Sequence, residues 1–469
     1  MSSLPVAFRS NRGPFNFLGT TSLVNCYAVQ LGNDAKATYA AISCPGTAVF
    51  SAGPDTPIRG AIFMEDLDAL YTVHSSSVWK RASDGTKTRI GTIPGIDRVQ
   101  IVRNQKTTPQ IVIRCDRGLY LIENDTLTGL SDPDIPTDCV AIAEVSSRIV
   151  YGSANGRWYI SAINDANDVD PLDFATAEQA ADRLVTLGAL GGELFVFGTE
   201  TIEPWINTGN ASFPFELRSQ ASVIKKGCLA QFSVVVADNT FFWVGNDRKY
   251  YRLNGYSVLK VSSEEVDRLI LNDPNQSAIS ATSYSYAGHD FVAVTGTDWT
   301  AEYDIATGLW HTRTSYQASR WRHDVAMAAW GKVLVGSREN GTIYYLDADT
   351  HTEAGLTFIR EVTMPPLHGF PNGGIIDALH FDVATGQGVT SPLALGYEPQ
   401  IMVLISRDGG NSFNLERRLK TGRSGQYRRV TSRRWGRFAE KGAVIRIRQS
   451  DPVGFALALV DHSTRPLRA

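Results

Sequence analysis

A short β-type run recurs seven times along the chain, and this repeat limits the possible folds more than any other feature. The runs are ALYTVH at 69, QIVIRC at 110, RIVYGS at 148, ELFVFG at 193, TFFWVG at 240, DFVAVT at 290 and KVLVGS at 332. Successive runs begin 38 to 50 residues apart, which is the spacing expected of four-stranded propeller blades. The repeat therefore predicts an all-β protein built on a β-propeller with six or seven four-stranded blades.

A closed propeller needs its two chain ends to meet in one blade. The stretch ATYAAISCPGTAVFS near the N-terminus can supply the outer strand of the last blade, which begins at DVAMAAW. Such closure removes open strand edges that would otherwise pair with other chains. We therefore assign residues 1–36 to an N-terminal arm and residues 37–353 to the propeller closed by the N-terminal strand segment.

Residues 354–469 are predicted to form a separate C-terminal domain that is basic and β-sandwich-like. QIMVLIS, NLERRL, YRRVTS, AVIRIRQ and FALALVD alternate apolar and polar residues at the period of a strand. From Ile401 to the end there are 15 Lys or Arg and 5 Asp or Glu, which leaves 30 and 43 in the first 400 residues, or net charges of +10 and −13. This asymmetry favours an anionic partner or an acidic protein surface as the target of the C-terminal domain.

One helix is predicted, in the stretch SSEEVDRLILND. Ser262 or Ser263 can cap its N-terminus, and Val266, Leu269 and Ile270 would form an apolar stripe. We interpret this helix as an insertion between blades.

Cysteine usage and the N-terminal sequence favour an intracellular site of synthesis. The five cysteines form no C-x-x-C pair, so the sequence indicates neither a disulfide framework nor a cysteine-rich zinc site. MSSLPVAFRSNRG lacks the apolar core of a signal peptide, and no run of about 18 apolar residues is present. We expect a soluble protein made in the cytoplasm, without membrane insertion.

Searches for catalytic motifs favour a protein that is not an enzyme. The sequence contains no nucleophile elbow, phosphate-binding loop or H-E-x-x-H motif. A glycosidase needs two facing carboxylates, and Glu200, Glu203 and Glu302 are candidates whose convergence the sequence leaves open. The acidic stretch from Asp165 to Asp173 fits either a solvated inter-strand loop or a Ca²⁺ loop. We predict no catalytic residue, no metal site and no cofactor.

The stretch SRDGGNSF matches the Asp-box pattern known from sugar-cleaving propellers. Asp408 can accept backbone N–H bonds inside a tight turn, Gly410 tolerates positive φ, and Phe413 can anchor the turn on a hydrophobic layer, with Ser406 as the first residue of the box. The box occurs once and outside the predicted blades. We therefore interpret it as a structural clasp of a hairpin.

A basic stretch after the Asp box is the main candidate for an interaction site. Aromatic residues interleave its cations, a combination that suits phosphate contact and base stacking. The alternative is that the strands pair with acidic groups on a neighbouring subunit. The candidates for a subunit interface or a DNA conduit are Arg417, Arg418, Lys420, Arg423, Arg428, Arg429, Arg433, Arg434 and Arg437.

Several stretches resemble one family of viral proteins. RWYISAINDANDVDPLDFATAEQAADRLVTLG, GTETIEPWINTGN followed by VIKKGCLA, SLVNCYAV with SCPGT, and RRWGRFAEKGAVIRIRQSDPV are spread over nearly the whole chain. Together they resemble the packaged-DNA stabilisation proteins of short-tailed bacteriophages, the tail hub or nozzle family.

The resemblance implies a structural protein of the virion. Such a protein would follow the portal and its adaptor ring, close the head after genome packaging, and form part of the conduit for DNA ejection. Its partners would be further copies of itself in a homohexameric ring, the adaptor ring, packaged DNA, and a tail needle, spike or fibre protein. It would be assembled in the host cytoplasm and reside in the short tail. The alternative is a propeller tail protein that binds or cleaves glycans.

Overall fold

Each of the seven repeated runs forms the second strand of a four-stranded antiparallel sheet, or blade. The computed structural model describes residues 2–4, 7–13, 19–32, 34–54, 56–176, 182–368 and 371–467, and the blades below are those of the described residues. Blade 1 comprises Ile58–Met64, Ala69–His74, Ser77–Arg81 and Lys87–Thr92; blade 2, Gln100–Arg103, Ile111–Cys115, Gly118–Glu123 and Thr126–Gly129; blade 3, Cys139–Val145, Arg148–Ser153, Arg157–Ala162 and Asp165–Thr176; blade 4, Leu184–Leu190, Glu193–Gly198, Ile202–Asn207 and Phe215–Leu217. Blade 5 comprises Val235–Ala237, Thr240–Val244, Tyr250–Asn254 and Ser257–Lys260; blade 6, Ser280–Tyr286, His289–Thr295, Thr300–Asp304 and Leu309–Thr312; blade 7, His323–Ala329, Lys332–Ser337, Ile343–Asp347 and Gly46–Ser51. The predicted propeller is confirmed, with seven blades.

Apolar side chains fill the space between neighbouring blades. Alternate residues of each strand face the adjacent blade, so seven separate clusters of buried residues join blade to blade around the ring. Between blades 3 and 4, for example, the Trp158 and Trp205 rings meet edge to face with centroids 5.1 Å apart. Aromatic pairs of this kind stabilise a core beyond their buried area. The last cluster joins blade 7 to blade 1 and closes the ring.

The strand that completes blade 7 comes from the N-terminal part of the chain. Gly46–Ser51 pairs antiparallel with Ile343–Asp347. A Cβ atom on Gly46 would lie 2.2 Å from the Thr350 carbonyl oxygen, so this close approach requires glycine. The predicted closing segment began at residue 37, and this was wrong for its first part. Tyr39–Ser43 belongs to another sheet, because it pairs with Cys26–Gln30 and with Ala456–Pro466.

A two-sheet sandwich packs beside the propeller. Its first sheet has the strand order Val430–Phe438, Gly374–Val383, Ala456–Pro466, Tyr39–Ser43 and Cys26–Gln30, with Ser2–Leu4 paired to Ala456–Pro466. Its second sheet has the order Thr20–Val24, Arg360–Thr363, Val444–Gln449, Gln400–Ser406 and Asn414–Lys420, with Asn11–Arg12 paired to Thr20–Val24. One core of buried apolar residues lies between the two sheets. The strands described within residues 1–36 therefore belong to this sandwich and do not form a separate arm.

The strand Thr20–Val24 joins the sandwich to the propeller. It pairs antiparallel with Arg360–Thr363 and meets Leu309–Thr312 of blade 6 in parallel, with Val24 opposite Thr312. Blade 6 and the second sheet of the sandwich are therefore one continuous sheet of ten strands. Leu23 at the centre of this junction is fully buried.

The helical structure found in the described part of the chain lies in short segments between blades. The predicted helix spans Glu264–Leu271 after blade 5, and the Ser263 side chain caps it by accepting from the backbone N–H of Val266. Single 3₁₀ turns lie at Gln220–Ser222, Gln231–Ser233 and Gln276–Ala278. Among the described residues, every helix is too short to cross a lipid bilayer.

Candidate functional site

The basic residues singled out in the sequence lie on one open edge of the sandwich. Asn414–Lys420 is the last strand of the second sheet and Val430–Phe438 is the last strand of the first. Arg417 ties the two strands together, because its Nη2 donates to the Arg434 carbonyl oxygen at 2.8 Å and its guanidinium lies 4.3 Å from the Trp435 ring centroid. We call residues 414–438 the basic edge. Two strand edges that could accept further chains thus lie side by side and carry cations.

Four of the nine predicted cations on and beside this edge have partners within the chain. Arg417 makes the contacts just described. Arg418 Nε donates to Glu416 Oε1 at 2.9 Å. Glu398 accepts from Lys420 Nζ at 2.6 Å and from Arg423 Nε at 2.7 Å. The charge of these four side chains is therefore largely compensated internally.

The other five cations are exposed, and their side chains make no ion pair or hydrogen bond with any described residue. A bulge with positive φ at Arg434 (61°) and Gly436 (85°) lifts the edge strand locally out of its regular register. Charges and bulges on an edge strand prevent uncontrolled pairing with other sheets, and uncompensated charges attract an anionic partner. The five residues are Arg428, Arg429, Arg433, Arg434 and Arg437.

The Asp-box turn connects Gln400–Ser406 to Asn414–Lys420. Asp408 Oδ1 accepts from the Ser406 hydroxyl at 2.6 Å and from the backbone N–H of Ser412 at 3.0 Å, and Oδ2 accepts from the Ser412 hydroxyl at 2.6 Å. Hydrogen bonds from the Ser406 and Ser412 side chains lower the pKa of Asp408 to about 2. Phe413 lies against Arg446, whose guanidinium carbon is 3.6 Å from the centroid of the Phe413 ring. Every contact of this carboxylate serves the turn.

Side chains from several blades fill the propeller axis. A cavity of about 340 Å³ remains between these side chains, and residues from the first strands of all seven blades line it. Arg98, before blade 2, donates from Nη2 to the Asp324 carbonyl oxygen at 2.6 Å and lies 5.5 Å from the ring centroid of Phe232, which precedes blade 5. Gln231 Nε2 reaches the Val140 carbonyl oxygen of blade 3 at 2.5 Å. These contacts join non-adjacent blades across the ring, so they leave no open passage for a DNA duplex along this axis.

A buried charge cluster lies in blade 6 next to the N-terminal segment. Glu302 Oε2 accepts from His311 Nε2 at 2.6 Å and from Arg313 Nη1 at 3.4 Å, and Oε1 accepts from the Tyr284 hydroxyl at 2.6 Å. Burial alone would raise the pKa of Glu302, but Arg313 and His311 lower it to about 2. Burial would lower the pKa of His311, but Cys44 and Glu302 raise it to about 9. The cluster is an ion pair network that holds blade 6 together.

The same cluster brings together donor atoms of three residue types that bind metals. The ligand atoms of Cys44, Glu302 and His311 all lie within 4.8 Å of one another. The Arg313 guanidinium, however, already contacts the carboxylate oxygen that a metal ion would need, and a second cation beside it is unfavourable. The residues therefore fit a salt bridge better than a metal centre.

Of the three carboxylates considered for glycan cleavage, Glu302 lies in a different blade from the other two. Glu302 lies in the buried cluster of blade 6, whereas Glu200 and Glu203 belong to blade 4. Glu203 is buried and accepts from Trp205 Nε1 at 3.2 Å. The stretch from residue 165 to 173, expected to be a loop, is part of the outer strand of blade 3, because pairing continues through two shifts of register.

Sequence reasoning missed the charged groups of the propeller axis and the partners of Glu302 in blade 6, His311 and Arg313. Arg98 and Asp324 are 226 positions apart in the chain, and Glu302 and His311 lie on adjacent strands whose pairing sets their distance. The available signal was a carboxylate at the centre of a short strand, as at Glu302 in TAEYD. Such a residue, when buried, requires a partner.

The closed ring of seven blades, the filled axis and the basic edge define a β-propeller protein with a fused sandwich and a charged interaction surface. The model of a protein family described as "Bacteriophage P22 Gp10, beta-propeller" matches residues 15–351. The chain belongs to this phage stabilisation family, and it is a structural protein of a bacteriophage, of the tail and head-completion class.

Other comparisons are weaker. No curated protein sequence matches the chain. The computationally designed Ika8 protein is similar with a TM-score of 0.41 and 11% identity, over 64% of this chain and 99% of that chain. Streptogramin B lyase is similar with a TM-score of 0.44 and 12% identity, over 64% of this chain and 97% of that chain. Similarity this weak supports no conclusion about function.

Proposed function

We propose that the protein is the tail hub or nozzle of a short-tailed phage, which assembles as a homohexameric ring below the adaptor ring. The ring closes the head after DNA packaging and forms part of the ejection conduit. Tail needle, spike or fibre proteins are proposed to attach to its far side. Membership of the phage stabilisation family supports the general role, and the geometry of the chain supports the ring.

The filled propeller axis is the observation that carries this proposal. Arg98 and Phe232 lie together inside the ring of blades, so one copy offers no passage for a duplex. A conduit for DNA must therefore run between copies of the chain, as it does along the central axis of a ring. The propeller would form the wall of that conduit.

The basic edge is proposed as the main contact between neighbouring copies. The chain carries +10 after residue 400 and −13 before it, so a head-to-tail arrangement places opposite charges against each other. Five exposed arginines without an internal partner are available for this contact. A dense basic lining of the conduit would retard DNA through phosphate contacts. We therefore place at most a minority of these arginines in the lumen.

Charge reversal at the basic edge tests the proposal. The double variant Arg433→Glu/Arg434→Glu should fail to form rings or to dock on the adaptor, and should give particles that leak DNA. A matched control, Arg89→Glu/Arg117→Glu, makes the same change of charge on exposed positions of blades 1 and 2. Native mass and an electron-microscopy view down the axis report assembly, and particle titre reports function.

The outcomes separate the two roles of the arginines. Normal rings and normal titre for the basic-edge variant would exclude an interface role. Normal rings with altered ejection would assign the arginines to DNA. Loss of rings in both variants would show an effect of net charge, unrelated to this edge.

A further inference from the structure

One mouth of the propeller axis opens into a bowl of about 630 Å³. The bowl lies where the first strands of blades 1, 2, 5, 6 and 7 begin, and it leads to the filled axis. Its volume is that of sites that bind small organic molecules. It is separate from the basic edge, which belongs to the sandwich.

Charged groups in the bowl are only partly compensated. Arg59 Nη2 lies 3.4 Å from Asp116 Oδ1, and Arg338 Nε lies 3.5 Å from Asp324 Oδ2. Arg98 uses Nη2 for a backbone carbonyl, and its Nη1 atom is buried with no hydrogen-bond partner among the described residues. A buried donor without a partner is costly, and native proteins rarely leave one empty.

An unpaired acceptor accompanies this unpaired donor. Asp324 is buried, and its Oδ1 atom also has no hydrogen-bond partner among the described residues. Arg98 Nη2 binds the backbone of this same residue, so the free cationic donor and the free anionic acceptor are neighbours. Ile96, which is 79% exposed, and Phe232 add an apolar wall.

We propose that this bowl binds a hydroxylated carboxylate of sugar size, such as a uronic acid. The ligand carboxylate accepts from Arg98, with Arg114 on the same wall as a second cation, and a ligand hydroxyl donates to Asp324 Oδ1. The carbon face of the ring packs on Ile96 and Phe232. A phosphate dianion fits less well, because Asp97, Asp116 and Asp324 also line the bowl and repel the extra charge.

Titration calorimetry on the assembled protein tests this site with D-glucuronate, D-glucose and inorganic phosphate. Glucuronate should bind saturably, with a dissociation constant on the order of 1 mM, and the other two at least tenfold more weakly. Arg98→Gln and Arg114→Gln should each weaken glucuronate binding, the first by tenfold or more. Arg89→Gln, on the outer strand of blade 1, is the matched control and should bind as the wild type does.

Two results would overturn the proposal. Glucuronate binding that is absent, or unchanged in both bowl variants, would exclude the site. Phosphate or glucose binding as tight as that of glucuronate would exclude the assigned chemistry. The native mass of each variant should equal that of the wild type, because the bowl is separate from the basic edge. If the native mass falls in Arg98→Gln alone, glucuronate binding by Arg114→Gln decides whether the site exists.

Discussion

The buried pair of His311 and Glu302 should make the stability of the protein depend on pH between neutrality and pH 9. The pKa of His311 is raised to about 9 in the folded protein, whereas an unfolded histidine titrates near 6.5. Stability from this pair is therefore fully present below about pH 6.5 and is lost as pH rises through 9. The pKa of Glu302 is held near 2, so its contribution is constant across this window and falls only below about pH 4.5.

The size of this stability difference follows from the pKa shift of His311. The displacement from 6.5 to about 9 is about 2.5 pKa units, which corresponds to roughly 3 kcal/mol. Because the pair is fully buried and coupled to Arg313 and Tyr284, we expect about 1–3 kcal/mol. His311→Gln keeps a hydrogen-bond donor near Glu302 but cannot carry the charge. At pH 6 this variant should be less stable than the wild type by that amount, and at pH 9.5 the two should be nearly equal.

Urea unfolding at four pH values between 6 and 9.5 measures this difference. Comparing the wild type with the variant at each pH cancels the titration of all other groups. His368→Gln, at an exposed histidine, is the control. Its free energy of unfolding should change with pH as that of the wild type does. If the wild type and His311→Gln lose stability in parallel as pH rises, the assigned ion pair is wrong.

Three further predictions concern the junctions of the fold. Leu23→Ala should lower the free energy of unfolding by about 2–5 kcal/mol, because Leu23, on the strand that joins propeller and sandwich, is fully buried in the sandwich core; an unchanged urea midpoint would contradict this. Asp408→Ala should cost about 1–3 kcal/mol through the lost turn network and leave rings intact in native mass measurements. Deleting residues 1–51 should make the protein insoluble, because blade 7 loses its outer strand; a soluble truncation with wild-type melting behaviour would refute the closure.

The blades were predictable because their signal is local and periodic. Each repeated run, such as ELFVFG at 193, is apolar on both faces, and it becomes a second strand buried between neighbouring blades. The cap at Ser263 was predictable for the same reason, since the cap and its acceptor site lie within one turn.

Pairings between distant segments were not predictable in the same way. Tyr39–Ser43 and Gly46–Ser51 look alike as strands, and only the tertiary partners decide which one closes the propeller. The basic stretch was recognisable as a charged surface, but its division into compensated and free cations depends on contacts such as that of Arg423 with Glu398, 25 positions away. Charge patterns in the sequence therefore located the candidate surface, but they did not show which of its cations are compensated within the chain.

The pairing of the first 51 residues with the last third of the chain sets the order of events during synthesis. Leu4 faces Val460, Val24 faces Thr312 and Val49 faces Tyr344. At roughly 5–20 residues per second, these early strands wait on the order of half a minute for partners that the ribosome has yet to make. Six blades can form meanwhile, but the ring stays open until Ile343–Asp347, the strand that pairs with Gly46–Ser51, has been made. The sandwich completes after the propeller, when Ala456–Pro466 pairs with Gly374–Val383, Tyr39–Ser43 and Ser2–Leu4. A chain that stops before Ala456 therefore lacks the strand that joins the N-terminal strands to the first sheet of the sandwich.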